Sequence, residues 1–225
     1  MLATSEPVLL VGGQAVNLWA LYYGERTAHL APFVSRDVDV LGDRSTLEAL
    51  GKAAGSKPQF FPLKPPSNEV GVVVAKDSSG LPLLIEVLRY VHGVRNEELR
   101  DPVYTVAVGE IQVRLPSPIA LLQAKIANVA DIAQAGRQDA RHVLILAQLM
   151  PAYLHDLQQA AVEERMPERK FIDFLERLLA VVTATNAKKV LSKLQLESRG
   201  FFAGIGHEEL PKTQAFIDKR LPRQT

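Results

Sequence analysis

Ser35-Arg36-Asp37-Val38-Asp39-Val40-Leu41 sets two acids one residue apart, just ahead of two apolar residues. An Asp-Val-Asp triplet running into Val40 and Leu41 has the alternation of a β-strand, and a period of two puts both carboxylates on one face. Like charges a few ångströms apart repel strongly in a protein, so such a pair is seldom kept without a cation between the acids. Oxygen-only ligands in an open, wet site point to Mg²⁺ or Mn²⁺. The competing reading is a solvated edge strand whose outer face carries two acids.

A third acid bears on that choice. Leu81-Pro82-Leu83-Leu84-Ile85-Glu86-Val87-Leu88 is an apolar run with one charge at its centre. Buried alone and ionised, Glu86 would be costly, so it should face a cation or water. Asp77-Ser78-Ser79-Gly80 is turn chemistry between a strand at 70–75 and this run, which predicts a hairpin. A Glu86 strand laid beside the Asp37 strand would bring three carboxylates together. Such sets hold paired divalent metals for phosphoryl or nucleotidyl transfer.

Composition sets the bounds. The 225 residues, 47% hydrophobic, suffice for one substantial core or a core with an appended helical domain. With 26 basic against 25 acidic residues the net charge is +1, so any nucleic-acid surface must be local. There is no cysteine, which excludes disulfides, thiol catalysis and cysteine-ligated zinc, and a cytoplasmic location is expected. The first residues lack a basic leader segment, and 8–23 is interrupted by Gly12, Gly13, Gln14 and Asn17, so neither a signal peptide nor a membrane span is expected.

Val8 to Val11 reads as a short buried strand, and Gly12-Gly13 as a sharp turn into a helix beginning near Gln14, where backbone N–H groups can approach a phosphate. Close packing of helix on strand explains two glycines equally well. Ser45-Thr46-Leu47-Glu48 fits a capping box opening a helix to about Ala54, and the prolines between Lys57 and Asn68 predict a loop. Strands are expected at 103–108 and 111–115. Ser117-Pro118 is then a helix cap with proline at the first helical position. Helices follow at about 118–134, 138–149, 151–165, 168–183, 186–195 and 207–219, with breaks at Gly136, Pro151, Pro167 and 200–206. The expected class is α/β (α+β): a mixed sheet with flanking helices over 1–116, then a helical domain over 117–225.

Lys125 stands one residue before Ile126 on the first of these helices, where it could aim at phosphates or merely be a solvated lysine. Of the five histidines only His142, three residues after Asp139 on one helical face, invites a catalytic reading, and a surface pair with Asp139 is the stronger alternative. His29, His92, His155 and His207 show no ligand spacing, so zinc is not expected. Arg137, Arg141, Arg165, Arg169 and Lys170, with the tail residues Lys219, Arg220 and Arg223, are available to meet an RNA backbone. Such clusters are more often solvated faces, and no aromatic residues interleave them.

Together, Gly12-Gly13 after an apolar strand, Asp37-Val38-Asp39 and Glu86 on a later strand resemble the polymerase-beta type nucleotidyltransferase superfamily. Within it the chain is most similar to the AbiEii/AbiGii-like bacterial nucleotidyltransferases, many of them toxins of toxin–antitoxin pairs, over residues 8 to 150. The run Ala120 to Lys125 followed by Arg137-Gln138-Asp139-Ala140-Arg141-His142 is similar to that family's lysine helix and basic-Asp segment.

The resemblance implies a nucleotide transfer from an NTP, with Mg²⁺ or Mn²⁺, to a hydroxyl of tRNA or protein, and a possible cognate antitoxin. A nucleotide-binding module without turnover is the alternative. It implies that Asp37, Asp39 and Glu86 hold metal, that Gly12, Gly13, Ser35 and Lys125 bind nucleotide, and that Asp139 orients a side chain or assists proton removal. Two departures stand out. The spacing from Gly13 to Asp37 is long, with 27–33 resembling an insertion, and Arg141-His142 follows Asp139 where relatives carry a further acid and tyrosine.

Overall fold

The computed structural model describes residues 8–33, 35, 37–62, 68–76, 80–108, 111–206 and 208–221. Leu9–Leu10 is the first strand, β1, and helix α1 (Gly12–Tyr22) starts two residues earlier than the glycines suggested. Gly12 supplies the left-handed φ of +65° that turns the strand directly into the helix. A short helix α2 (Gly24–Thr27) leads into the stretch that looked inserted, 27–33, which contains one 3₁₀ turn (Ala28–Leu30). Thr27 anchors it by donating its hydroxyl to the carbonyl of Ala20.

The acidic triplet is β2 (Asp37–Leu41), followed by α3 (Arg44–Ala54). Asp43, not Ser45, caps α3: its carboxylate accepts the Thr46 amide at 3.0 Å, and the Ser45 hydroxyl donates to the same oxygen at 2.6 Å. A carboxylate is the stronger acceptor at the positive end of a helix. The expected loop contains a two-residue strand β3 (Gln59–Phe60). Beyond it β4 (Glu69–Lys76) and β5 (Pro82–Leu88) pair antiparallel, as the turn residues between them predicted. A short helix α4 (Asn96–Arg100), unforeseen in the sequence, leads to the antiparallel pair β6 (Val103–Val108) and β7 (Ile111–Pro116).

The described strands form one seven-stranded mixed sheet in the order β3-β4-β5-β2-β1-β7-β6. β2 runs parallel to β5, and β1 is antiparallel to β2 but parallel to β7. The fold is therefore α/β, with helices packed against a mixed sheet.

Ser117 and Pro118 open α5 (Pro118–Asp131) as expected, the Ala120 amide donating to the Ser117 hydroxyl at 3.2 Å. α6 (Asp139–Val162) runs straight through Pro151, where two helices were expected. Proline removes one helical hydrogen bond and costs about 3 kcal/mol. That cost is outweighed here because Leu149, Met150, Tyr153 and Leu154, on both sides of the proline, are all buried. α7 (Glu168–Thr183), α8 (Thr185–Lys193) and α9 (Pro211–Arg220) complete the chain; α9 starts later than the expected 207 because Pro211 takes its first turn.

The core is continuous from Val73, Ile85 and Val87 in the sheet through Leu122 and Ile126 to Leu146, Met150, Leu175 and Leu178 in the helices. Trp19 ties α1 to the end of β7 by donating its indole N–H to the Pro116 carbonyl at 2.9 Å. Among the described residues no helix is long and apolar enough to cross a membrane.

Candidate active site

The parallel register of β2 and β5 builds the site. Asp37 pairs with Leu84, Val38 with Ile85 and Asp39 with Glu86. Asp39 and Glu86 therefore stand side by side on one face, with Asp37 two residues along the same face. Val40, Ile85 and Val87 turn to the other face and are buried, which fixes the register: a slip by one residue would drive the acids into the core. The conditional expectation that the two acidic strands are neighbours is met.

All three carboxylates line one cavity of about 310 Å³, together with Gly12, Lys125 and Arg137. Burial, then the charges of Asp39, Glu69 and Asp37, push the Glu86 carboxyl up to about 7. Asp39 is also raised, chiefly by burial and further by Asp37, although Lys125, the Gly13 amide and Arg137 pull in the other direction. The site is thus a half-buried nest of acids that disfavour one another's ionisation.

The glycines serve Asp39 directly. Any side chain at Gly12 would overlap the Asp39 carboxylate, and the Gly13 amide donates to that carboxylate. Gly12-Gly13, the expected phosphate seat, closes round the Asp39 carboxylate, which the Gly13 N–H engages. Ser35 lies beside them: its hydroxyl donates to the backbone carbonyl of Asp37 at 3.0 Å and stands 3.2 Å from where a Gly13 side chain would begin.

Lys125 is neither solvated nor snorkelling. It is 7% exposed, and its ammonium donates to Asp139 Oδ1 at 2.8 Å. Arg137 Nε donates to Asp139 Oδ2 at 2.7 Å and Asn128 to Oδ1 at 3.2 Å. Burial alone would raise the Asp139 carboxyl, but the Lys125 charge and these three donors hold it down at about 2. A carboxylate so held is a poor proton acceptor. Of the two roles expected for Asp139, the geometry favours orienting Lys125 and Arg137 towards the cavity.

His142 does not form the expected surface pair. It is 6% exposed, its ring packs against Gly13, and neither ring nitrogen has a hydrogen-bond partner. Burial, helped by the charge of Lys125, pushes the imidazole down to about 4, so it is neutral at ordinary pH. The α6 stripe that buries Val143, Leu146 and Met150 carries His142 inward with it, whereas three-residue spacing from Asp139 reported only a shared helix face.

Sequence reasoning missed several cavity residues. Arg137 had been considered only for RNA, Asn128 lacked any signal, and His92 had been set aside for want of ligand spacing. His92 lies at the cavity with its Nε2 2.9 Å from Asp131 Oδ2. The basic cluster proves locally neutralised in part: Arg165 pairs with Glu163 at 2.7 Å, Arg169 with Asp173 at 3.1 Å, and Arg141 donates to the carbonyls of Leu30 and Pro32. His207, Arg223 and Arg36 lie outside the described residues.

The donor set suits a hard divalent cation, being oxygen-only and crowded with mutually repelling acids. Among the described residues no three carboxylates or imidazoles stand close enough together to hold a metal ion unaided.

No protein-family model matches this sequence, and no curated protein does. Among solved structures, the chain is similar to an antigenic nucleotidyltransferase-like protein from Paracoccidioides brasiliensis, with 18% identity, 63% of this chain and 67% of that one covered, and a TM-score of 0.38. A likeness that distant carries no argument about the site, which stands on its own register and geometry.

Proposed function

We propose that this protein is a metal-dependent nucleotidyltransferase that moves a nucleotide from an NTP to a hydroxyl acceptor. The observation that carries the reading is the in-register pairing of Asp39 with Glu86, beside Asp37, in a cavity whose other wall presents Lys125 and Arg137. Acids on one side and fixed cations on the other suit a triphosphate brought in with its cation.

Asp37, Asp39 and Glu86, completed by substrate phosphates and water, would hold Mg²⁺ or Mn²⁺, which when bound offsets phosphate charge and aligns attacking and leaving oxygens. Lys125 and Arg137, oriented by Asp139, would receive the phosphates. Glu86, with its carboxyl near neutrality, would take the proton as the acceptor hydroxyl attacks the α-phosphorus and pyrophosphate leaves.

A tRNA end or a protein hydroxyl is the acceptor class this reading favours, in the manner of the AbiEii/AbiGii-like toxins, with an antitoxin as cognate partner and the cytoplasm as location. A panel of α-labelled NTPs incubated with total RNA and total protein tests it. Label should move to one of the two in a Mg²⁺-dependent way and be lost in Asp39→Asn. Tight Mg²⁺·NTP binding with no transfer to either would favour a binding module.

A further inference from the structure

The cavity that holds the acids extends past them. Beyond Glu86, β5 brings Leu88 to the same face and the chain turns through Val91 and His92, while Asn68 arrives just ahead of β4; all four line the cavity. The turn is pinned to the sheet. The Arg89 amide donates to the Asn68 carbonyl at 2.8 Å, and the Asn96 side-chain amide donates to the Arg89 carbonyl at 2.9 Å. Asn68 and His92 are thus polar positions on a braced stretch of wall.

Each side chain has one end committed to a partner that dictates what the other end offers. Asn68 Nδ2 donates to the Tyr90 carbonyl at 3.2 Å. A carbonyl only accepts, so the end of the amide left over is its oxygen. His92 Nε2 stands 2.9 Å from Asp131 Oδ2, and Asp131 does not line the cavity. A carboxylate only accepts as well, so the neutral ring carries its proton on Nε2 and keeps a bare lone pair on Nδ1. An exposed His–Asp contact adds little to stability; what it fixes here is the tautomer. Among the described residues no hydrogen bond reaches Asn68 Oδ1 or His92 Nδ1.

We propose that Asn68 and His92 form a ribose-recognition site, in which Asn68 Oδ1 and His92 Nδ1 accept hydrogen bonds from the vicinal hydroxyls of a ribose. Two acceptors call for a ligand with two neighbouring donors, and Leu88 and Val91 beside them suit the apolar carbon frame that a sugar ring carries. The inference rests on the nucleotidyltransferase reading and adds the sugar class to it: ribo in preference to deoxyribo. It leaves Lys125 and Arg137 to the phosphates. The ribose belongs either to the NTP or to the 3′ end of an RNA acceptor, which share this chemistry. Guanine also sets two N–H donors side by side, so a panel of bases belongs in the test.

The test compares sugars, and its first part needs no substitution. Mg²⁺-dependent affinities are measured for ATP, GTP, CTP and UTP and for the 2′-deoxy and 3′-deoxy form of each. Label transfer is measured to the RNA that accepts it, prepared with ribose or with 2′-deoxyribose at its 3′ end; where no RNA accepts label, the nucleotide arm alone decides. Loss of one hydroxyl should cost the wild type about tenfold in affinity or KM in one arm, and that arm identifies which substrate carries the ribose. In His92→Phe and in Asn68→Leu the ribose form should fall to the level of the deoxy form, which should itself hardly change. His92→Gln, whose amide can donate to Asp131 and still leave an oxygen, should keep part of the discrimination. Equal treatment of ribose and deoxyribose by the wild type in every arm overturns the proposal. So does discrimination that survives both substitutions, or a loss in the variants that is the same for both sugars. A preference for guanine that vanishes in the variants, with no sugar preference, overturns it in favour of a base-edge site. A wild type that binds no NTP and moves no label fails the nucleotidyltransferase reading itself, and this inference falls with it.

Discussion

The Lys125 ammonium lies 2.8 Å from Asp139 Oδ1, with 8% and 3% of the two side chains exposed. Asp139 has further donors in Arg137 and Asn128, whereas Asp139 is the partner that anchors Lys125. Removing either half of the pair is therefore not symmetric. Asp139→Asn strands a buried ammonium and should cost about 3–5 kcal/mol of stability in urea unfolding. Lys125→Met, which keeps the stem and leaves Asp139 two donors, should cost less than half as much. The reverse order would mean that another acid balances Lys125.

Glu86 carries a pH-dependent penalty whose sign can be worked out. Its folded carboxyl is raised to about 7 from an ordinary value near 4.5. The folded state thus holds its proton longer than the unfolded chain, and stability falls as pH rises through that interval. Glu86→Gln should stabilise the metal-free protein at pH 8, by about 1 kcal/mol after allowing for partial exposure, and do nothing at pH 4. Melting curves in EDTA at the two pH values check this. Added Mg²⁺ should raise the wild-type melting temperature and have little effect on the variant.

His142 has the opposite sign. Its imidazole is lowered to about 4 from 6.5, so the unfolded chain takes up a proton that the folded protein refuses. Above pH 6.5 the ring is neutral in both states and adds no pH dependence. Stability should be lost as pH falls from 6.5 towards 4, on the order of 3 kcal/mol from this group. His142→Phe should flatten the pH dependence of urea midpoints between pH 4.5 and 7.5, and an unchanged slope would place the responsible group elsewhere.

The two glycines of α1 should respond unequally to alanine. At Gly12 a methyl group meets the Asp39 carboxylate and the left-handed φ of +65° adds about 1–2 kcal/mol of strain, so Gly12→Ala should both destabilise the fold and abolish the Mg²⁺-induced thermal shift. At Gly13 the φ is not left-handed, and the methyl stands 3.0 Å from His142 Cε1 and 3.2 Å from the Ser35 hydroxyl, a tight fit without backbone strain or overlap with an acid. Gly13→Ala should be the milder change in unfolding measurements and should retain the metal response.

The local pieces were legible from the residues alone: the Asp-Val-Asp strand, the hairpin that carries Glu86, the Ser117-Pro118 cap of α5 and the helix over 168–183. Each rests on a period of 2 or 3.6 or on turn and cap chemistry, which neighbouring residues set among themselves. What those pieces meet is a matter of long-range packing. That Asp39 stands beside Glu86 depends on strand order and register across 47 residues of chain. Whether Lys125 is solvated or paired, and whether His142 faces water or Gly13, depends on which side of α5 and α6 is covered. Helical spacing names a face without saying what covers it. Pro151 was misread for the same reason: a proline's local cost is legible in sequence, and the burial on either side that outweighs it belongs to the packed core.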